Sequence, residues 1–141
     1  MSRQVDAGAD FIITQVFFES QSYINFVKEC REIGIQVPII PGIFPFTTVG
    51  ELERMASISN VEIPPWLRDE IREAGNDDNA VRTLGIDLAV KLIQDIRHCK
   101  LSYGYHLFTL NRLLLFTFPI GGYAQNLFNF KYWYYTENSR K

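Results

Sequence analysis

An α/β fold built on parallel strands is the class this sequence predicts, and three observations carry the prediction. Residues 11–18, 37–44 and 105–110 are short, nearly unbroken apolar or β-branched runs, the composition of strands buried on both faces. Apolar residues recur at helical spacing between them, and strands that alternate with helices pair in parallel through right-handed crossovers. Three such strands alone would leave two long unpaired edges, so the pattern predicts a piece of a larger, closed sheet.

Gly8 stands before the first strand as a helix C-terminal glycine, which places the end of a helix there. After the strand, Tyr23, Phe26, Val27, Cys30 and Ile33 share a helical face, and Gly34 stops it. The second strand contains Pro38 and Pro41 and is closed by Gly42 and Pro45. Proline cannot donate to a central ladder, so it belongs at an end or a bulge. Thr48 and Glu51 form a T-x-x-E capping box for a helix whose apolar side is Val49, Leu52, Met55 and Ala56. Pro64 and Pro65 open a shorter helix that runs through Ala74 and ends at Gly75. Asp77 or Asp78 caps a long helix over 79–99, with Val81, Leu84, Leu88, Leu92 and Ile96 on one face and an Asp87–Lys91 pair along it.

The third strand is followed by a segment of different character. Phe116, Phe118, Tyr123, Phe128, Phe130 and the YWYY run at 132–135 crowd together without clean periodicity. The organisation expected is one unit over 1–112 and a divergent tail over 113–141. Two origins of the tail stay open: an altered ending of the gene product, or a native segment whose aromatics pack on exposed core or on a partner.

Composition narrows the function classes. At 47% hydrophobic and 21% charged the chain is neither disordered nor fibrous. A net charge of −2 without a basic stripe gives no reason to expect a nucleic acid ligand. The first ten residues lack the apolar stretch of a secretory signal, and the run at 113–120 is well short of the ~20 residues of a membrane helix, so no membrane partner is expected. Cys30 and Cys99 lack metal-ligand spacing and fall on apolar helical sides, which predicts buried free thiols and a cytoplasmic location. Neither a metal site, nor a Gly-rich phosphate loop, nor a nucleophile elbow is readable.

Candidate site residues cluster where strands end. Gln15 is an amide in an otherwise apolar strand, and leaving it without partners would cost roughly 1–3 kcal/mol. It can pair with a polar heterocycle or with neighbouring backbone; both remain open from spacing alone. Arg112 directly follows the third strand, where a guanidinium can grip a carboxylate bidentately or simply sit in solvent. Phe108 and Leu110 lie on the same strand. His98 reads as a partner of its helix C-terminus, His106 as structural.

FIITQVFFE (11–19), PIIPGIFPF (38–46) and HLFTLNR (106–112), at these separations, resemble the second half of the catalytic domain of the methylenetetrahydrofolate reductase family. The resemblance implies a partial (β/α)8 TIM barrel, about its last three βα units, since a complete barrel takes roughly 250 residues. It implies reduction of 5,10-methylenetetrahydrofolate to 5-methyltetrahydrofolate with FAD as cofactor and NAD(P)H as reductant, and a folate as ligand. Gln15 would contact the pterin, and Phe108, Leu110 and Arg112 would complete the folate-binding set. Relatives often have tyrosine where Phe108 stands, so ring packing would survive here and a hydroxyl bond would not. Met55 matches a position where some relatives place an aromatic beside the folate; core packing is its expected role. Relatives commonly read KVDAGAD, with a lysine near the flavin phosphates, where this chain has Gln4. The family's catalytic glutamate, flavin-adjacent aspartate and most FAD contacts belong to earlier strands, so no catalytic residue is expected here and the chain alone should be inactive. An alternative is a non-catalytic chain that acts by associating with another; a homo-oligomer is left open.

Overall fold

A computed structural model describes residues 8–102 and 104–109. Three strands, β1 (Ile12–Val16), β2 (Ile39–Ile43) and β3 (His106–Leu107), form one sheet in the order β1-β2-β3, and both pairings are parallel. Four helices connect them: α1 (Ser20–Glu32) between β1 and β2, then α2 (Val49–Ser59), α3 (Pro65–Ala74) and α4 (Asp78–Cys99) before β3. The predicted α/β class and the parallel pairing are therefore present. The strands are shorter than the apolar runs that announced them, although the Phe108 N–H still donates to the Ile43 carbonyl at 2.9 Å beyond the end of β3.

One face of the sheet carries the core. Ile39, Pro41 and Ile43 alternate along β2 and are all under 2% exposed. α1 sends Tyr23, Val27 and Cys30 into the core, and α4 sends Val81, Leu88, Leu92 and Ile96. α1 packs on α4, α4 on β2 and α3, and α2 lies against β1. The Tyr23 hydroxyl donates to the buried Ile39 carbonyl at 2.8 Å, and its ring stacks on Phe17, so α1 is fixed to the sheet at both ends of one side chain. Gly85 lets α4 approach residue 46: a Cβ there would collide with the Phe46 carbonyl and ring.

β1 departs from expectation. Its residues were to be buried on both faces, yet Phe11 is 46% and Ile13 39% exposed. A continuous apolar run records that both faces suit an interior; which faces are covered depends on neighbours that no local pattern contains.

Pro41 fulfils the expectation of a bulge in an unforeseen way. Ile13 pairs with Ile40 and Val16 with Gly42, so three steps on β1 match two on β2, and the register slips opposite Pro41. The proline has no N–H to give at that point. The next amide, Gly42 N–H, donates to the Thr14 side-chain hydroxyl at 3.0 Å.

Helix boundaries follow the caps. The Thr48 hydroxyl accepts from the Glu51 N–H, and Asp77, rather than Asp78, accepts from the N–H groups of Asn79 and Ala80. The Glu51 carboxylate also reaches back one residue beyond the cap, accepting from the Thr47 N–H and hydroxyl. Gly34 and Gly75 adopt the positive φ expected of stops. Gly8 also has positive φ, while the helix expected before it lies outside the described residues.

Two side-chain expectations are corrected. Lys91 pairs forward with Asp95 at 2.8 Å rather than back with Asp87, because Asp95 is also held by the Ser20 hydroxyl at 3.2 Å and is thereby fixed. The Lys91 hydrogen bond holds the Asp95 carboxyl below its ordinary range. Cys99 is exposed, since the last turn of α4 runs past the core; Cys30 is buried as expected, and burial pushes its thiol up.

Candidate functional site

The C-terminal ends of the strands bring together what the sequence spread over almost a hundred residues. Gln15 falls within the register slip of β1, and a bulge re-aims the side chain it carries. Its amide is exposed and is not satisfied by backbone: Oε1 accepts from the Ser59 hydroxyl of α2 at 3.4 Å. Phe108, just past β3, lies directly over Gly42, whose missing side chain makes the room. A Cβ on Gly42 would sit 2.5 Å from Phe108 Cε2 and 2.5 Å from the Thr14 carbonyl oxygen. The ring of His106 meets Phe108 edge-on, with centroids 4.5 Å apart and an interplanar angle of 79°. Burial of that imidazole pushes its pKa down, which favours the neutral ring as a packing partner.

α2 closes this end from the side. Met55 is 7% exposed, so its core role holds, but its sulfur lies 3.6 Å from the Ser59 hydroxyl and so borders the same spot as Gln15. Behind Gln15, Glu19 at the N-cap of α1 accepts from the Trp66 indole N–H at 2.9 Å and ties the start of α3 to the loop after β1. Trp66 remains 37% exposed.

Of the expected site residues, Gln15 and Phe108 lie at one end of the parallel sheet, on the strands either side of β2. Gln4, Leu110 and Arg112 lie outside the described residues. Ser59 and the space at Gly42 were not foreseen as parts of this end. The serine sits four residues after Met55, on the turn that follows it, and that spacing was the available signal. His98 stands as read, with Nδ1 2.7 Å from the Gln94 carbonyl in the last turn of α4. Among the described residues no three His, Cys, Asp or Glu side chains gather as a metal-binding group.

A parallel βα sheet with an amide and an aromatic at its strand C-termini is an α/β arrangement suited to a flat heterocyclic ligand. Comparison with known proteins makes the assignment specific. The family model described as methylenetetrahydrofolate reductase matches residues 1–117. The chain belongs to the methylenetetrahydrofolate reductase family. It is 38% identical over 112 residues to a probable methylenetetrahydrofolate reductase (NADPH) of Caenorhabditis elegans, covering 79% of this chain and 17% of that protein. It is 38% identical over 114 residues to methylenetetrahydrofolate reductase (NADH) 1 of Arabidopsis thaliana, covering 79% and 19%. Against the 5,10-methylenetetrahydrofolate reductase of Salmonella typhimurium it is 35% identical over 112 residues, covering 79% and 38%. The chain thus spans well under half the length of these relatives. Among solved structures, an uncharacterized protein from Clostridium thermocellum that binds two copies of 5-methyl-5,6,7,8-tetrahydrofolic acid has a similar fold, with a TM-score of 0.52 at 19% identity over 75% of this chain and 39% of that one.

Proposed function

We propose that this chain is the folate-facing part of a methylenetetrahydrofolate reductase barrel, with residues 1–112 as the barrel unit and 113–141 as a separate tail. The observation that carries the reading is that Gln15 and Phe108, far apart in sequence, stand at one end of a parallel sheet, on the two strands that flank β2, with Phe108 filling the space left by Gly42. In a (β/α)8 barrel this is the end that holds ligands. The amide would hydrogen-bond the pterin and the ring would pack on it; Leu110 and Arg112 would follow on the same strand, the guanidinium on a carboxylate of the folate.

The activity proposed for the complete barrel is reduction of 5,10-methylenetetrahydrofolate by NAD(P)H through FAD, in the cytoplasm, where unpaired Cys30 and Cys99 are at home. The described residues do not by themselves fit the flavin. The exposed or half-buried groups Ile13, Gln15, Ile40 and Phe108 suit a flat ring, but none is basic, so they make no diphosphate site. What these residues contribute is orientation and apolar contact for the folate.

A second reading, association with another chain without catalysis, is favoured by one observation. Phe11 and Ile13 leave apolar surface open on β1, a strand whose outer edge is unpaired among the described residues.

Titration of the 141-residue chain with 5-methyltetrahydrofolate, followed by NMR, tests the first reading. Saturable shifts at Gln15 and Phe108 are expected, with affinity reduced about three- to tenfold in Q15A, the size of one lost hydrogen bond. Saturable binding that Q15A and F108A leave unchanged would sink it.

A further inference from the structure

The two ends of the Gln15 amide are chemically opposite: the oxygen only accepts and the NH2 group only donates. Which end meets a ligand therefore decides what the site can recognise. An exposed glutamine chooses between them freely unless something holds one end.

Ser59 provides that hold. Its hydroxyl has one proton and two acceptors within reach, Gln15 Oε1 at 3.4 Å and Met55 Sδ at 3.6 Å. A hydroxyl can give or take a hydrogen bond, and in the structure this one gives: it faces the amide oxygen, a better acceptor than the thioether sulfur. The serine is itself well placed to act as a fixed point. It is half-buried in the last turn of α2, one turn after the buried Met55, and the helix is anchored at its other end by the Thr48 cap. Gln15, by contrast, sits where the register slip has released β1 from regular pairing, so its own strand does less to fix it.

We infer that Ser59 is a positioning residue of the folate site. It occupies the Gln15 oxygen and so turns the two Nε2 N–H donors toward the ligand, which makes this position a reader of acceptor atoms, a ring carbonyl or an unprotonated ring nitrogen of the pterin. The inference rests on the folate reading given above. Ser59 touches Gln15 and Met55, not the ligand, and its effect passes through the amide alone.

The test uses the full 141-residue chain, labelled with nitrogen-15, with 5-methyltetrahydrofolate as the probe. Without ligand, the Gln15 side-chain NH2 pair should be well dispersed in the parent and in Ser59→Thr, and should collapse toward free-amide positions in Ser59→Ala, with backbone amides elsewhere unmoved. With ligand, S59A should weaken binding about three- to tenfold while S59T stays within about twofold. Equal binding and equal Gln15 amide signals in S59A and parent, with Q15A still weakened, would overturn the positioning role and leave the folate reading standing. Loss of binding in S59T as large as in S59A would also overturn it, since the hydroxyl would then be irrelevant. Binding by Q15A equal to the parent, or no saturable binding by the parent, would overturn both together.

Discussion

Gly42 has no side chain, and Phe108 occupies the volume that one would fill. The contact is tight on two sides, ring and backbone, and only one of them can move: Phe108 can rotate, whereas the Thr14 carbonyl belongs to the neighbouring strand. Gly42→Ala should therefore destabilise the chain by about 1–3 kcal/mol, the usual range for overpacking. Adding Phe108→Ala should recover only part of the loss, because the carbonyl clash persists. Urea midpoints of the two variants and their combination check this; full recovery in the double variant would mean that the strand backbone yields. At this scale the sequence was legible where chemistry was local. Gln15 stood out as a lone amide, and its place at a strand end is observed. Its partner Ser59 lies 44 residues away, and the only local pointer to it is its spacing four residues after Met55.

Two helix starts were legible because caps are local hydrogen bonds, Thr48 outright and Asp77 as one of two candidates. Thr48 and Asp77 both satisfy N–H groups that the first turn of a helix leaves without partners. Thr48→Ala and Asp77→Ala should each cost about 1 kcal/mol. The Asp77 variant is expected to lose more, since its carboxylate serves two amides and also complements the helix dipole. Denaturation midpoints measure the size, and faster hydrogen exchange confined to Glu51 in one variant and to Asn79 and Ala80 in the other locates it. The choice of Lys91 partner was not legible, because Asp87 and Asp95 are equally spaced from it; the decision comes from Ser20, on another helix. The same holds for β1, whose composition suited burial on both faces while its neighbours cover only one.

At the scale of the whole molecule, the outer edge of β1 is unpaired among the described residues and Phe11 and Ile13 are exposed, so the described part of the sheet is not closed. The chain alone is expected to hold no FAD and to reduce no methylenetetrahydrofolate with either nicotinamide, because positioning effects worth ~7–11 kcal/mol of barrier require a complete site. Flavin absorbance at the protein peak and a hydride-transfer assay check both halves. A yellow protein that turns over would show that the folate-side residues suffice.

The seat of α1 on α4 has a further consequence, for the order in which the chain is made. Ser20, in the first turn of α1, bonds to Asp95, 75 residues later, and Val27 and Cys30 belong to the same core as residues of α4. While only the β1-α1-β2 portion of this sequence has been made, α1 has its sheet contacts through Tyr23 but lacks α4, and that side of its apolar face must wait for most of the later residues before it is covered. Nascent chains halted before residue 78 would expose this face, and a chaperone that holds apolar helices would have its longest opportunity there.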